Sequence, residues 1–152
     1  MISLIKNRDG QQLAVYSFGD ATQPAIIFSN SLGTDHGMWQ AQVAAFAQDY
    51  FMICYDTRGH GKSAVIENSK LTDLANDVVD ILDHFNIEKA HFCGISMGGI
   101  TGLQLGLIAP QRFLSITIAN SAAKIGQEEA WLSRADTVET QGLAEIVSTT
   151  HT

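Results

Sequence analysis

The sequence predicts a doubly wound α/β fold with a mostly parallel sheet, and three observations carry this prediction. Short, continuously apolar runs recur along the chain, as is typical of strands that are buried on both faces. Helix-like segments separate these runs and have the dozen or more residues that a parallel crossover requires. The chain has 152 residues, of which 45% are hydrophobic and 16% charged, so it is long enough for one domain with a substantial core.

Five segments have the pattern of strands. The first, at residues 12–18, alternates apolar and polar side chains and follows a predicted hairpin turn at 7–10. The other four are continuously apolar, and they cover residues 25–29, 51–55, 90–93 and 114–119. Because strands and helices alternate along the chain, a doubly wound sheet with right-handed crossovers is expected.

Three helices are predicted between these strands. The first carries apolar residues at helical spacing, namely Trp39, Val43 and Phe46. The second is an amphipathic stripe from Leu71 to Phe85. We expect four carboxylates to lie off its apolar face, and these are Asp73, Asp77, Asp80 and Asp83. The third helix covers Met97 to Ala109 and is ended by Pro110.

The pattern changes after Ala119, which divides the chain into two predicted regions. Residues 1–119 carry the strand and helix alternation and form the N-terminal part of an α/β core. Residues 120–152 contain a loop, a helix over 128–138 and a second short helix near Leu143, with no further strand. We therefore expect this second region to be the beginning of a helical insertion.

Charge and cysteine content exclude several classes of function. The formal net charge of −7 argues against nucleic acid or an anionic membrane as a partner, because both require a basic surface. No apolar run approaches the ~18 residues of a membrane span, and the N-terminal apolar stretch is too short for a signal peptide. Cys54 and Cys93 lie in apolar strands without metal-binding spacing, so we expect reduced core thiols in a cytoplasmic protein without a metal or other cofactor.

The strongest chemical motif is the run Gly94-Ile95-Ser96-Met97-Gly98, which follows one strand and precedes a helix. A sharp turn in this context holds a serine hydroxyl out of the sheet, and the flanking glycines allow the backbone to approach closely. The helix N-terminus favours negative charge as it develops. We therefore predict that Ser96 is a nucleophile.

A second motif, Asn30-Ser31-Leu32-Gly33, directly follows an earlier apolar strand. Acyl transfer requires two backbone N–H groups that bind the oxyanion. One is provided by the residue after the nucleophile, here Met97, and the other by a loop after an earlier strand. Leu32 is the candidate for the second donor.

A third motif covers residues 56–63 and is similar at its end to a phosphate-binding loop. The pattern requires a glycine five residues before Gly61, and Asp56 stands there instead, so nucleotide binding is rejected. We expect Asp56, Arg58 and His60 to hold the loop through bonds from side chains to the backbone.

Together these three motifs resemble the α/β-hydrolase superfamily. Within it, Ser31-Leu32-Gly33-Thr34-Asp35 with Met38-Trp39, and Trp131-Leu132-Ser133-Arg134-Ala135, are similar to the 3-oxoadipate enol-lactonases of the β-ketoadipate pathway. The resemblance extends from about Leu13 to Thr149. It departs from many superfamily members at Asn30-Ser31, where they begin the loop with His-Gly.

The resemblance implies a serine hydrolase that opens an enol-lactone to 3-oxoadipate through an acyl-enzyme. It also implies that the acid and the histidine base of the triad follow the cap, so we expect both to be absent from this sequence. None of the five histidines is favoured as a substitute, and these are His36, His60, His84, His91 and His151.

The substrate of the resembled enzymes carries a carboxylate, for which Arg134 is the candidate cation. Trp39 and Trp131 are candidate walls of the substrate pocket, and all three residues have a purely structural alternative. Other functions stay open: a general carboxylesterase, a haloperoxidase-like enzyme, or a non-catalytic binding protein. A dehalogenase is disfavoured because it would need Asp at position 96.

Finally, the predicted sheet has an open edge where later strands would dock. We expect the 152-residue species to aggregate, to pair with another chain, or to be covered by a missing C-terminal half. The expected ligand is a small ester or lactone.

Overall fold

Six strands form one sheet in the computed structural model, which describes residues 1–144 and residue 146. The strands are β1 (Ile2–Lys6), β2 (Gln12–Phe18), β3 (Ala25–Ser29), β4 (Phe51–Tyr55), β5 (Ala90–Ile95) and β6 (Phe113–Ala119). They lie in the order β1-β2-β4-β3-β5-β6. Strands β4, β3, β5 and β6 are parallel, whereas β1 with β2 and β2 with β4 are antiparallel. The predicted mostly parallel α/β sheet is confirmed.

The strand β1 was not predicted as an element. It lies at the edge of the sheet, and its residues Ile2 and Leu4 are exposed while Ile5 is buried. In a half-exposed edge strand of only five residues, the alternation of apolar and polar side chains is too weak to indicate a strand. The predicted turn at 7–10, which joins β1 to β2, is present.

Within the described residues, three α-helices connect successive strands and a fourth follows β6. They are α1 (Gln40–Phe46), α2 (Leu71–His84), α3 (Met97–Ile108) and α4 (Glu128–Gln141), and a 3-10 turn at His36–Trp39 leads into α1. The second short helix expected near Leu143 falls largely outside the described residues. None of the helices within the described residues has the length and apolar character needed to cross a lipid bilayer.

The core lies on both faces of the sheet, as alternation along the strands requires. Leu13 and Val15 of β2 pack with α2 and with Leu105 of α3, in a large cluster on one face. Ala14 and Tyr16 of the same strand belong to a second cluster with Trp39. Helices therefore cover the sheet on two sides, which is the doubly wound arrangement.

One carboxylate of α2 departs from the sequence prediction. Asp77 was placed off the apolar face of the helix, but its side chain is buried and the residue is 1% exposed. Its oxygens accept hydrogen bonds from Arg58 Nη2 at 2.6 Å and Nε at 2.7 Å, and from Asn7 Nδ2 at 2.7 Å. A buried carboxylate is tolerated here because a guanidinium and an amide satisfy it.

The opposite edge of the sheet is open. Among the described strands β6 pairs only with β5, and Leu114 of β6 is 57% exposed. This agrees with the expected open edge, and what covers that edge stays a prediction.

The strand order reverses next to β3, which has β4 on one side and β5 on the other. Ser29 at the carboxyl end of β3 is in register with Gly94 near the end of β5. In open α/β sheets, ligands bind in the crevice outside the carboxyl ends of the strands at such a reversal. The loops that follow β3 and β5 therefore meet where a site is expected.

Candidate active site

Ser96 stands at the tip of the turn between β5 and α3, in strained backbone geometry. Its φ is +54° and its ψ is −113°, a combination that non-glycine residues rarely adopt. Holding a residue there costs on the order of 1–3 kcal/mol, and such strain is concentrated at functional sites. The strained turn predicted from the sequence is present.

The glycines of this turn are required by close backbone contact. A Cβ atom on Gly94 would meet the carbonyl of Gly98, and a Cβ on Gly98 would meet the carbonyl of Ser29 in β3. On the next turn of α3, a Cβ on Gly102 would lie 2.7 Å from the Phe92 ring. The spacing of the motif therefore follows from how tightly the helix and the sheet meet.

Three hydrogen bonds hold the turn from neighbouring segments. The N–H of Ser96 donates to the carbonyl of Ala119 at 3.0 Å, and Ser121 Oγ donates to the Ser96 carbonyl at 2.7 Å. The N–H of Gly98 donates to the carbonyl of Asn30 at 2.9 Å. The end of β6 and the loop after β3 thus fix the position of the serine.

A cavity of about 230 Å³ opens above Ser96, and Leu32, Met97 and Trp131 contribute to its lining together with Ile100 and Ile125. Four residues predicted for the site are therefore brought together. Across the described residues, the N–H groups of Leu32 and Met97 donate to no protein acceptor. Free donors beside a serine hydroxyl are what an oxyanion site requires.

Trp131 forms the outer wall of the cavity from α4. Its Nε1 donates to the carbonyl of Ile125 at 2.6 Å, and 40% of the residue is exposed. The bond orients the indole, so that its apolar ring faces the cavity region without leaving a polar atom unpaired.

Arg134 and Trp39 are not brought into this cavity. The guanidinium of Arg134 lies over the Trp131 ring, with Cζ 5.7 Å from the ring centroid, and does not line the cavity. Trp39 is 6% exposed and packs on Phe28, where it belongs to the core rather than to a substrate wall. Trp39 ends the 3-10 turn before α1, and its Nε1 donates to the buried side chain of Asn30, which holds the indole in the core.

The role of the Asn30 side chain in the site was not predicted from the sequence. It is fully buried, its Nδ2 donates to the carbonyl of Tyr55, and its Oδ1 accepts from Trp39 Nε1, both at 2.8 Å. With its carbonyl bound to Gly98, Asn30 joins β4, the 3-10 turn and the Ser96 turn. The sequence signal for Asn30 is its position directly after an apolar strand, where many superfamily members have the histidine of His-Gly.

Asp56 organises the 56–63 loop, and its structural role is confirmed. Its carboxylate accepts from the His36 N–H at 3.0 Å, His36 Nδ1 at 2.9 Å and the Lys62 N–H at 2.9 Å. Burial raises the pKa of Asp56, but the backbone N–H groups of His36 and Lys62 and the side chain of His36 together outweigh burial and leave the pKa below its usual range. Burial and the Asp56 charge raise the pKa of Tyr16, which donates to this carboxylate, to about 12.

No described histidine lines the Ser96 cavity. His36 bonds to Asp56, and His60 to Gly33 and Arg58. His91 Nδ1 lies 2.8 Å from Ser115 Oγ, and His84 is exposed at the end of α2. His151 lies outside the described residues. A general base for Ser96 is therefore not found within residues 1–144.

Two further features concern thiols and metals. Cys54 and Cys93 are unpaired, and burial raises the pKa of both thiols, that of Cys54 to about 12. A protonated, buried thiol is a poor nucleophile. Within the described residues, no cluster of three or more His, Cys, Asp and Glu side chains could hold a metal ion.

Comparisons with known proteins agree with this geometry. Residues 24–140 match the family model described as alpha/beta hydrolase fold. The chain is 61% identical to 3-oxoadipate enol-lactonase 1 of Acinetobacter baylyi, over 98% of this chain and 56% of that protein. It is 52% identical to 3-oxoadipate enol-lactonase 2 of the same organism, over 90% of this chain and 51% of that protein.

A solved structure is similar over the same region. The enol-lactonase from Burkholderia xenovorans LB400 superposes with a TM-score of 0.90 and 37% identity, over 93% of this chain and 56% of that one. The chain spans about half the length of the curated relatives it matches.

Proposed function

The chain belongs to the α/β-hydrolase fold family, and on that premise we propose that its Ser96 site opens an enol-lactone, 3-oxoadipate enol-lactone, to 3-oxoadipate. One observation carries the proposal. The strained Ser96 shares a cavity with Leu32 and Met97, whose N–H groups have no protein acceptor in the described part of the chain. The identity to two enol-lactonases supports the choice of substrate.

In the proposed mechanism, Ser96 Oγ attacks the lactone carbonyl while a histidine accepts its proton. The carbonyl oxygen becomes an oxyanion that accepts hydrogen bonds from the N–H groups of Leu32 and Met97. The ring C–O bond breaks, the histidine gives its proton to the leaving enolate, and the resulting enol tautomerises to the ketone. Water, deprotonated by the same histidine, then hydrolyses the acyl-enzyme and returns the proton to Ser96 Oγ. The histidine and its acidic partner are proposed to come from outside residues 1–144.

The proposed organisation has a core over residues 1–119 and the beginning of a cap over 120–152. One observation supports this division: Trp131 of α4 lines the same cavity as Ser96, as a residue of a substrate-covering element would. We propose a small lactone or ester as the ligand, with no cofactor. The two unpaired thiols support a cytoplasmic location.

A general carboxylesterase is a second candidate, and one observation favours it. Arg134, the proposed carboxylate-binding cation, lies over Trp131 and does not line the cavity, so the described lining is suited to a neutral ester. A substrate-induced movement of Arg134 would be needed for a lactone that carries a carboxylate.

The test compares Ser96→Ala with the parent protein, as produced from its gene, on the enol-lactone and on an aryl acetate. Loss of both activities supports the nucleophile, with Ser69→Ala as the control because Ser69 is an exposed loop residue. Lactone turnover that survives in Ser96→Ala contradicts it. A higher kcat/KM for the aryl ester, unchanged by Arg134→Gln, favours the carboxylesterase.

A further inference from the structure

The oxyanion loop is held by a histidine that the mechanism above does not use. His60 lies in the loop after β4, and its Nε2 is 2.9 Å from the N–H of Gly33, which follows the proposed donor Leu32. We propose that His60 is a positioning residue of the oxyanion site, acting through the peptide between Leu32 and Gly33. This inference rests on the proposed function.

The bond determines the tautomer of His60. An amide N–H can only donate, so Nε2 must carry a lone pair and the ring proton must lie on Nδ1. Nδ1 is 3.1 Å from the carbonyl of Arg58, an acceptor suited to that proton. Both ring nitrogens of a neutral His60 therefore have a hydrogen-bond partner, and these two backbone partners fix the orientation of the imidazole.

The bonded peptide is the central peptide of a turn. The N–H of Thr34 donates to the carbonyl of Ser31 at 3.3 Å, and Gly33 has a φ of +78°. A positive φ at the third residue is typical of a type II turn, which differs from type I mainly in the orientation of its central peptide. A Cβ on Gly33 would meet nothing within 4 Å, so the glycine is required for its φ rather than for space.

His60 fixes that orientation. With the bond to Nε2 in place, the Gly33 N–H is directed at His60 and the turn stays in its type II form. Without an acceptor, a rotation of the peptide would bring the Leu32 carbonyl to where the Gly33 N–H now lies. Such a rotation changes ψ of Leu32 and φ of Gly33. We expect the adjustment of the loop around it to displace the Leu32 N–H, which belongs to the preceding peptide, relative to that of Met97.

The loop that carries His60 is held in place by several hydrogen bonds and an ion pair. The Arg58 guanidinium is anchored on the buried Asp77, and Ser63 Oγ accepts from the N–H of Ala14 at 2.9 Å. The N–H of His60 donates to the carbonyl of Thr57, and the carbonyl of His60 accepts from the N–H of Ser63. Through its bond to Gly33, His60 therefore holds the exposed loop after β3 against the packed 56–63 loop.

The first test uses substitutions that separate the two ring nitrogens, in the protein as produced from its gene. In His60→Gln the side-chain oxygen lies near the position of Nε2 and can accept from Gly33. In His60→Asn the shorter side chain reaches only the position of Nδ1. We expect His60→Asn to lower kcat about tenfold with KM nearly unchanged, because misplacing a transition-state donor affects chemistry more than binding. We expect His60→Gln to stay within about threefold of the parent.

The control is His84→Asn, at an exposed histidine that does not line the cavity. Equal activity of His60→Asn and His60→Gln overturns the inference. A higher KM with an unchanged kcat in His60→Asn also overturns it. Thermal unfolding of each variant is measured alongside, because a purely structural role would lower the melting temperature without separating the two variants in kcat.

A second readout is independent of turnover. NMR is expected to show a protonated Nδ1 and an unprotonated Nε2 on His60, with a scalar coupling across the bond from the Gly33 amide to Nε2. Absence of that coupling, in a protein with Ser96-dependent activity, contradicts the role of His60 alone. A coupling that is present in a protein with no Ser96-dependent hydrolysis contradicts the proposed function instead.

Discussion

The backbone N–H of Gly98 donates to the carbonyl of Asn30 at 2.9 Å and joins the nucleophile turn to the loop that carries Leu32. The bond fixes two chain segments that are far apart in sequence, each of which contributes one proposed N–H donor. Its length depends on how closely α3 approaches the end of β3. The close contact at Gly98 therefore determines how the two proposed N–H donors are placed relative to each other.

Gly98→Ala tests this close approach. The added Cβ would meet the carbonyl group and the Cβ of Ser29, so α3 must move away from β3. We expect a loss of about 1–3 kcal/mol in the free energy of unfolding, as for other overpacked sites, and a much larger relative loss of esterase activity. Urea unfolding and aryl ester hydrolysis measure the two effects.

Gly106→Ala is the matched control on the same helix. Its nearest neighbour would be Ile116 Cδ1 at 3.8 Å, an ordinary contact. Alanine favours helix over glycine, so we expect stability to rise by about 0.5–1 kcal/mol with activity unchanged. Equal losses in the two variants would show that close approach at Gly98 is not the cause.

The buried ion pair between Arg58 and Asp77 gives a second prediction. Arg58→Met leaves the Asp77 carboxylate without its guanidinium, at a position that is 1% exposed. Breaking one side of a buried pair costs about 3–5 kcal/mol. We expect the double variant Arg58→Met/Asp77→Leu to be more stable than Arg58→Met alone, as measured by urea midpoints. A double variant that is less stable would contradict this account.

Asp56 gives a prediction for pH. Its pKa lies below the usual range in the folded chain, so its contribution to stability is complete above the unfolded value of about 4. That contribution is lost as the pH falls through the lower, folded pKa. We expect the stability difference between the parent and Asp56→Asn to be largest near pH 7 and to shrink below about pH 4.

Urea midpoints at pH 7, 5, 4 and 3 measure this difference. Asp49→Asn is the control, because Asp49 is exposed and its side chain has no hydrogen-bond partner in the described part of the chain. A difference between parent and Asp56→Asn that grows on acidification would reverse the assigned direction of the pKa shift.

The open side of β6 predicts association of the 152-residue chain. Leu114 and Ile118 are exposed on a strand whose outer backbone groups pair with no described strand. Exposed apolar edge strands promote pairing with other chains. We expect the sedimentation coefficient of this species to rise with concentration, and Leu114→Lys to reduce the rise. A monodisperse monomer that unfolds cooperatively would contradict the prediction.

Local patterns in the sequence were sufficient for most of the fold. Strands β2, β3 and β4 occupy the predicted ranges 12–18, 25–29 and 51–55, and α3 begins directly after Ser96 as expected. These features depend on the period of apolar residues and on turn chemistry, which involve residues close together in the chain. The strained turn at Ser96 belongs to the same class, since its glycines lie two positions on either side.

The same reasoning failed where a side chain is placed by distant partners. Asp77 has the helical position of a surface carboxylate, and only Arg58 and Asn7 from other segments bring it into the interior. Trp39 and Trp131 are equally plausible as pocket walls in sequence, yet one packs on Phe28 and the other lines the cavity. The periodicity of apolar residues predicts which face of a helix is buried, but it does not predict which residues of other segments pack against the helix.

The sequence by itself determined the class of sheet, the order along the chain of the elements from β2 to α4, and the position of Ser96 between a strand and a helix. The tertiary structure decided that Leu32 and Met97 lie with Ser96 in one cavity, and that His60 reaches Gly33 across 27 positions of the chain. Local propensity acts within a few residues, whereas these contacts arise when the carboxyl ends of β3, β4 and β5 meet at one edge of the sheet.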